Sequence, residues 1–165
     1  MKSILFVCTG NIFRSMTAEY ALKAALGPQP FYRVSSAGTE AKFQVMAPEV
    51  RARLTQRGLD ASAHQQRRVS AEMLAEADVV VAMGLDHRHH LREQFGREAW
   101  LFNQICSGRE EPVLDVWEAV PHEQRDPAAR QAHIYAVIDH VCEAMPHFIK
   151  NVERFSRGNT FQIRL

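Results

Sequence analysis

The sequence predicts an α/β protein: a single-domain, doubly wound three-layer sandwich around a four-stranded, mostly parallel sheet. Three observations predict this fold. Short apolar runs at Ile4–Val7 and Asp78–Met83 are typical of strands that are buried on both faces of a parallel sheet. Segments with helical periodicity lie between the candidate strands. The chain of 165 residues has no internal repeat and no low-complexity linker, as expected of one domain.

The first half of the chain alternates strands and helices. Ile4–Val7 is the first predicted strand, and a short loop separates it from a helix at Met16–Leu26, which is rich in strong helix formers. A second strand is predicted at Phe31–Ser35, and the stretch SAGTEAKFQ after it is typical of a loop. Pro48 can open a further helix, which stops before Gly58.

The alternation continues beyond the middle of the chain. One or two helical turns at Ala71–Ala77 precede the strand at Asp78–Met83, which is the second strongly apolar run. Asp86–Phe95 alternates charged and apolar residues at helical spacing, and Trp100–Phe102 is a short candidate strand. These elements supply the third and fourth strands of the predicted sheet.

The C-terminal third is predicted to hold one long helix. The stretch Cys106–Arg125 has the composition of a loop, and Ala128–Phe155 carries apolar residues three or four apart, as expected of one buried helix face. Pro146 is expected to kink or split this helix. We expect the domain to cover residues 1–156 and a mobile tail to cover residues 157–165.

Charge and hydropathy exclude several classes of function. The chain has 20 basic and 19 acidic side chains, so a nucleic-acid partner is not expected. No apolar stretch approaches the length that spans a membrane, and the apolar run near the start is too short for a secretory signal. We therefore expect a cytoplasmic protein without a membrane partner.

Cysteine and histidine spacing gives no indication of a disulfide framework or a metal site. Cys8, Cys106 and Cys142 are widely spaced and odd in number, so reduced thiols are expected. His87 lies close to two further histidines in LDHRHHLRE, but helical spacing does not put all three on one face. We expect these histidines to form a solvated helix surface, and we expect neither a metal nor another cofactor.

The segment VCTGNIFRSM, between the first strand and the first helix, suits an anion site with a nucleophile. Its backbone N–H groups can point inward, and the positive end of the helix dipole supplements them. Gly10 permits a positive φ, and Asn11 tolerates one. Arg14 can hold two phosphate oxygens at once, and arginine beside a helix N-terminus favours the thiolate of Cys8. The alternative is that Cys8 only ends a buried strand.

The same residues resemble a known family. Cys8-x5-Arg14-Ser15 within VCTGNIFRSMTAE is similar to the phosphate loop of the low-molecular-weight protein tyrosine phosphatases. The resemblance continues through SSAGT, GLDASAHQQRR, ADVVVAM and VLDVW, and it covers about the first 120 residues and the last long helix. It implies a phosphate loop after the first strand and metal-independent hydrolysis of phosphotyrosine, or other aryl phosphate monoesters, through a cysteinyl-phosphate intermediate. It also implies a phosphotyrosine-containing protein as the partner.

The resemblance implies a role for each residue of the loop. Cys8 would be the nucleophile, and Arg14 with the loop amides would hold the transferred phosphoryl group. Ser15 would hydrogen-bond the Cys8 sulfur and make it a better leaving group in the second step. The remaining phosphate-binding positions would be Thr9, Gly10, Asn11, Ile12 and Phe13.

Residues outside the loop complete the implied site. Asn11 would brace the loop through Ser36 and His64, and Asp115 would be the general acid that protonates the leaving oxygen. Relatives have proline after this aspartate where the chain has valine, and Asp126, which precedes a proline, stays a competing candidate. Many relatives carry a second cysteine where this chain has phenylalanine in the loop, so a disulfide with Cys8 is not possible there.

Two other functions fit the same sequence. A catalytically weakened phosphoprotein-binding module of the same fold is compatible with the changed surroundings of Asp115. Arsenate reductase shares this fold and loop in some bacteria, but its chemistry needs further cysteines, and none lies between Cys8 and Cys106.

Overall fold

The computed structural model describes residues 1–156, and a parallel sheet of four strands lies at its centre. The strands are β1 (Lys2–Cys8), β2 (Tyr32–Gly38), β3 (Val79–Ala82) and β4 (Trp100–Leu101), in the spatial order β2-β1-β3-β4. Each of these strand pairs is parallel. Because the chain runs outward from β1 first to one side and then to the other, the fold is the doubly wound α/β fold that the sequence predicts.

Helices cover both faces of the sheet. Within residues 1–156 they are α1 (Arg14–Leu26), α2 (Pro48–Gln56), α3 (Ala71–Glu76), α4 (Leu85–Phe95), α5 (Phe102–Ser107), α6 (Val116–Ala119) and α7 (Pro127–Asn151), with 3₁₀ turns at His122–Gln124 and Val152–Phe155. The larger apolar core lies between the sheet and α1, α2, α5 and α7. The smaller core lies on the opposite face, under α3 and α4.

The alternation of side chains along β1 decides where Cys8 lies. Ile4, Phe6 and Cys8 belong to the larger core, whereas Leu5 and Val7 belong to the smaller one. Cys8 is the last residue of β1, so its sulfur lies at the carboxyl edge of the sheet on the side of α1 and α7. Ligands bind at this edge in open parallel sheets.

Strand β2 is longer than the sequence predicts. We expected a strand over Phe31–Ser35 and a loop after it, but β2 continues to Gly38, which pairs with Cys8. The small residues of this stretch have weak strand propensity of their own. They form a strand because β1 offers an uninterrupted run of backbone partners, and tertiary context overrides local propensity.

The prediction of a loop over Cys106–Arg125 was wrong in part. This stretch holds the end of α5, the four-residue helix α6 and a 3₁₀ turn. Helices of one turn are too short to show a periodic apolar pattern, so the sequence gives little sign of them. Asp115, one of the two candidate acids, is the N-cap of helix α6.

Pro146 does not split the last helix. Helix α7 runs unbroken from Pro127 to Asn151, and Pro146 lies on its exposed side. The buried residues Val141, Met145 and Phe148 keep the opposite side packed on the core. The carbonyl that loses its partner at a proline can bind water when it faces solvent, so packing maintains the helix here.

Two expectations concern the membrane and the chain end. Within residues 1–156, no helix combines the length and the apolar character that crossing a bilayer requires. The tail that we expected at residues 157–165 lies outside the described part of the chain.

Candidate active site

The Cys8–Ser15 loop joins the carboxyl end of β1 to the amino end of α1. Two residues that follow β2 hold the first two carbonyl groups of this loop. Thr39 N–H donates to the Cys8 carbonyl at 2.8 Å, and Glu40 N–H donates to the Thr9 carbonyl at 2.9 Å. Because a trans peptide directs its N–H away from its C=O, the amides that follow these carbonyls point to the opposite side of the loop.

Gly38 at the end of β2 allows this loop to lie against the strand. A Cβ atom at this position would lie 2.4 Å from the Thr9 carbonyl oxygen and 2.9 Å from the Asn11 nitrogen. Both are backbone atoms, which cannot rotate aside as the end of a side chain can. Glycine is therefore the residue that the close approach of strand and loop requires.

Asn11 organises the middle of the loop. It takes a left-handed φ of 53°, which Gly10 does not, and it is fully buried. Its side-chain Nδ2 donates to Ser36 Oγ at 2.8 Å and to Ser15 Oγ at 3.0 Å. Its own carbonyl accepts a hydrogen bond from His64 Nε2 at 2.7 Å. The structure thus brings together the residues that the resemblance names as the supporting network.

The Cys8 sulfur lies 2.9 Å from Ser15 Oγ, and both side chains are buried. Asn11 donates to this oxygen, so the Ser15 hydroxyl proton is available for another acceptor. The competing acceptor is the Ala37 carbonyl, at the longer distance of 3.4 Å. The shorter contact favours a hydrogen bond from Ser15 to the sulfur, and such a bond stabilises a thiolate.

Glu19 is a buried carboxylate that the sequence pattern does not reveal. It is 2% exposed, and it accepts hydrogen bonds from Ser36 Oγ and from Lys23 Nζ, each at 2.5 Å. Through Ser36 and Asn11 it connects to the serine beside the Cys8 sulfur. In the sequence, Glu19 and Lys23 show only the spacing of an ordinary helix-surface ion pair, which hides this role.

Arg14 opens α1 and is 2% exposed. Its Nη1 donates to the Val113 carbonyl at 2.9 Å and lies 3.4 Å from Glu118 Oε2. Its Nη2 lies 3.1 Å from Asp115 Oδ2. Its buried Nε has no hydrogen-bond partner among the side chains and backbone of residues 1–156. The guanidinium therefore retains a donor for an anion held over the loop.

The two candidate acids lie in different places. Asp115 caps α6, where its Oδ1 accepts the Val116 N–H at 2.6 Å and the Glu118 carboxylate accepts the Asp115 N–H at 2.7 Å. Asp126 caps α7 by accepting the Ala129 N–H at 2.7 Å. Asp115 and Glu118 line the cavity over the loop, and Asp126 does not. Aspartate followed by glutamate three residues later is a capping signal that could have revealed α6.

A cavity of about 470 Å³ opens over the loop. Cys8, Arg14 and Asp115 supply polar groups to it. Its apolar lining comes from Ile12, Phe13, Val45, Ala47, Val50, Val116, Trp117 and Ile134. Trp117 is 66% exposed at the rim, where the Arg125 guanidinium lies 4.2 Å from the ring centroid. The cavity thus combines a floor that is suited to an anion with apolar walls.

The expectation of a solvated histidine surface was wrong for His87. This side chain is 1% exposed, and its Nε2 lies 2.8 Å from the Thr9 hydroxyl oxygen. Burial, and then the positive charge of Arg14, lowers the pKa of His87 to about 4, so the ring is neutral at neutral pH. The helical pattern of LDHRHHLRE did not reveal which histidine the fold turns toward the loop.

The described residues offer no evident metal centre. Within residues 1–156, no group of three or more histidine, cysteine, aspartate or glutamate side chains is arranged to hold an ion. The cysteines Cys8, Cys106 and Cys142 are free thiols. Burial raises the pKa of Cys106 to about 12, and neither Cys106 nor Cys142 lines the cavity.

The chain is similar in sequence to proteins of a known family. The family described as low molecular weight phosphotyrosine protein phosphatase matches residues 3–156. A low molecular weight protein-tyrosine-phosphatase, Ptp of Acinetobacter johnsonii, is 36% identical over 93 residues, which are 56% of this chain and 63% of that protein. The match thus spans less than two thirds of this relative's length.

The chain is also similar to proteins that are named as arginine phosphatases. A protein-arginine-phosphatase of Bacillus subtilis is 32% identical over 117 residues, which cover 68% of this chain and 77% of that protein. Among solved structures, the YwlE arginine phosphatase from Geobacillus stearothermophilus matches with a TM-score of 0.77 at 24% identity. The match covers 93% of this chain and 94% of that chain. At this identity the likeness shows the shared fold.

Proposed function

The chain belongs to the low molecular weight phosphotyrosine protein phosphatase family, and from that premise we propose that it hydrolyses phosphotyrosine, or other aryl phosphate monoesters, through a cysteinyl-phosphate intermediate. The observation that carries the proposal is the Cys8 sulfur, 2.9 Å from Ser15 Oγ at the base of a cavity that Arg14 and Asp115 also line. The proposed partner is a phosphotyrosine-containing protein.

The first step transfers the phosphoryl group to Cys8. Its thiolate attacks phosphorus, a P–S bond forms, and the ester P–O bond breaks. The phenolate oxygen takes the proton of Asp115 as it leaves. Arg14, through its Nε, which has no hydrogen-bond partner within residues 1–156, and the N–H groups of the Cys8–Ser15 loop bind the phosphoryl oxygens. These fixed donors stabilise the negative charge of the oxygens.

The second step releases phosphate. Asp115, now a carboxylate, takes a proton from water, and the resulting nucleophile attacks the phosphorus of the intermediate. The P–S bond breaks, and Cys8 leaves as a thiolate that accepts the Ser15 hydroxyl hydrogen bond. Inorganic phosphate departs, and Asp115 carries the proton needed for the next cycle. No metal enters either step.

The cavity walls favour an aromatic leaving group. Ile12, Phe13 and Ile134 present apolar surface beside the loop, and Trp117 lies at the rim. A phenyl ring can pack on such walls, whereas a short alkyl phosphate would leave them exposed to water. We therefore expect kcat/KM to be at least tenfold higher for aryl than for alkyl phosphate monoesters.

The test is hydrolysis of p-nitrophenyl phosphate and of a phosphotyrosine peptide in the presence of EDTA. Wild-type activity is expected to persist with the chelator, and Cys8→Ser is expected to lose it. Cys142→Ser is a matched control, because Cys142 does not line the cavity. Full activity in Cys8→Ser would refute the mechanism. Phosphotyrosine binding without turnover would favour the alternative of a phosphoprotein-binding module.

A specific observation favours phosphoarginine as a second candidate substrate. Glu118 adds a second carboxylate beside Asp115 at the Arg14 side of the cavity. A guanidinium leaving group would find two anionic partners there, which a neutral phenol does not use. Hydrolysis of phosphoarginine and phosphotyrosine peptides of matched sequence separates the two candidates. Glu118→Gln is expected to lower the phosphoarginine activity by a larger factor than the phosphotyrosine activity, because Glu118 also contacts Arg14 and accepts the Asp115 N–H.

Arsenate reduction is the least favoured alternative. The enzyme would have to pass an oxidised intermediate from Cys8 to a second thiol, but Cys106 and Cys142 do not line the cavity. Burial also raises the pKa of both thiols, which disfavours the thiolate that such a transfer needs. Absence of arsenate-dependent thiol oxidation is the expected result.

A further inference from the structure

We propose that His87 is a positioning residue for the reaction: it holds Thr9 by the side-chain hydroxyl and so fixes the first amides of the Cys8–Ser15 loop toward the phosphoryl group. This inference rests on the proposed phosphatase function. His87 itself lies outside the loop and is not among the residues that line the cavity. Its effect on the reaction would therefore pass through Thr9.

Thr9 is held at two atoms by two different parts of the fold. Its carbonyl accepts the Glu40 N–H at 2.9 Å, beyond the end of β2. Its Oγ1 lies 2.8 Å from His87 Nε2, in the first turn of α4. The residue next to the nucleophile is thus clamped between the segments on either side of β1. With both contacts present, the peptide planes around Thr9 have little freedom to rotate.

His87 is itself held firmly enough to act as a clamp. The ring is 1% exposed, and Leu91, one turn further along α4, is fully buried. Gly84 lies behind the ring, and a Cβ atom at that position would come within 3.1 Å of His87 Nδ1 and 3.2 Å of its Cε1. The imidazole therefore has the backbone of the β3–α4 connection on one side and Thr9 on the other.

Burial, and then the charge of Arg14, lowers the pKa of His87 and keeps the ring in the neutral form that this contact uses. Arg14 disfavours a second positive charge, as does His90 on the same helix, whereas Asp86 and Asp115 oppose them. Burial outweighs the carboxylates, and the net result is a pKa well below that of an ordinary histidine. A neutral imidazole can hydrogen-bond the Thr9 hydroxyl without placing a cation beside the arginine that binds phosphate.

The predicted changes in kcat and KM follow from the step at which the loop N–H groups act. Charge on the phosphoryl oxygens is redistributed in the transition state, so a misplaced loop amide costs more there than in the substrate complex. Loss of the clamp is therefore expected to lower kcat by about tenfold, with KM for p-nitrophenyl phosphate changed by less than about threefold. A substitution that only unfolded part of the protein would lower the active fraction whether or not the new side chain can form the hydrogen bond.

The experiment uses two pairs of variants and one control in the full chain. His87→Ala removes the contact, whereas His87→Gln offers an amide nitrogen near the position of Nε2 and is expected to retain kcat within about threefold. Thr9→Val removes the hydroxyl from the other partner at equal size, and Thr9→Ser keeps it. His89→Gln changes an exposed histidine of the same helix and is expected to be neutral.

The double variant Thr9→Val/His87→Ala decides whether the two residues act through their contact. The kcat of the double variant is expected to lie within about twofold of the kcat of each single variant, because the same interaction is lost only once. Losses that multiply would overturn the proposal, as would a Thr9→Val variant with wild-type kcat. If His87→Ala does not fold, the Thr9 pair and His87→Gln still test the same contact.

Direct binding of orthovanadate, which mimics the transition state, separates this inference from the proposed function. Calorimetry is expected to show about tenfold weaker binding in His87→Ala and Thr9→Val, and wild-type binding in His87→Gln and His89→Gln. If the wild type hydrolyses no phosphate ester, the proposed function fails while the vanadate result still reports on the clamp. Equal vanadate affinity in all variants would refute the role of His87 even in a fully active phosphatase.

Discussion

The Arg14 guanidinium lies 3.1 Å from the Asp115 carboxylate, so the amino ends of α1 and α6 meet beside the Cys8–Ser15 loop. Arg14 is almost fully buried, and the Asp115 side chain is 29% exposed toward the cavity. Its second oxygen caps α6, which limits the orientations open to the carboxylate. The ion pair therefore places the proposed general acid and the proposed phosphate-binding group in one small space.

We expect Asp115→Asn to lower kcat for phosphotyrosine by about 10²-fold or more, because the amide cannot protonate the leaving oxygen. Asparagine can still cap α6, so the fold should persist. Asp126→Asn is the matched control, since Asp126 caps α7 outside the cavity. Steady-state kinetics of both variants checks the assignment. A larger loss in Asp126→Asn would move the acid role to that residue.

We expect Ser15→Ala to slow the second chemical step more than the first, because the Ser15 hydroxyl is the neutral donor beside the departing Cys8 sulfur. The steady-state kcat should fall by about 10- to 10²-fold. Rapid-mixing experiments should then show a burst of p-nitrophenol close to one per enzyme. Ser107→Ala, on an exposed position of α5, should show neither effect. A slowed burst with no accumulated phosphoenzyme would contradict this role.

We expect Gly38→Ala to disturb the loop and the stability together. The added Cβ would meet the Thr9 and Asn11 backbone at 2.4 and 2.9 Å, so β2 and the loop must separate. The free energy of unfolding should fall by about 1–3 kcal/mol, and kcat should fall as well. Gly10→Ala provides a contrast in stability, because its added Cβ meets only side-chain atoms at 3.7 and 3.8 Å. Denaturant unfolding that ranks the two variants in the reverse order would refute this account.

Because the pKa of His87 is lowered, the free energy of unfolding is expected to fall as the pH falls. Histidine in the unfolded chain binds a proton below about pH 6.5, whereas the folded protein resists protonation of His87 down to about pH 4. This contribution to stability is complete above pH 6.5 and is lost as the pH falls toward 4. Between pH 7 and pH 5, the wild type should lose about 2 kcal/mol more than His87→Gln. Denaturant unfolding at both pH values measures this, and parallel losses would contradict it.

Chemical modification should distinguish the three thiols. Iodoacetate carries a negative charge, so the anion-binding loop should direct it to Cys8, and inorganic phosphate should protect that residue. Burial raises the pKa of Cys106 to about 12, and it also raises the pKa of Cys142, so both should react at least tenfold more slowly at pH 7. Peptide mass spectrometry after timed labelling gives the three rates. Faster labelling of Cys142 than of Cys8 would contradict the proposed nucleophile.

Much of the fold could be predicted because it depends on local patterns. The apolar runs of β1 and β3 and the periodicity of α7 identify buried elements, and their alternation identifies a parallel sheet. The apolar patterns did not reveal the extension of β2 to Gly38 or the short helix α6, although Asp115 and Glu118 form a local capping signal for that helix. Backbone pairing with β1 decides the first, and a single capped turn at Asp115 decides the second.

The sequence by itself determined that a cysteine, an arginine and a serine follow the first strand at a spacing suited to an anion loop. The tertiary structure alone decided which distant groups lie around the candidate site: it brings Asp115 to Arg14, Ser36 to Glu19 and His87 to Thr9. The physical reason is that a loop at a strand end is built from consecutive residues. Its partners come from separate crossovers, and only the packing of helices on the sheet brings them within hydrogen-bonding distance.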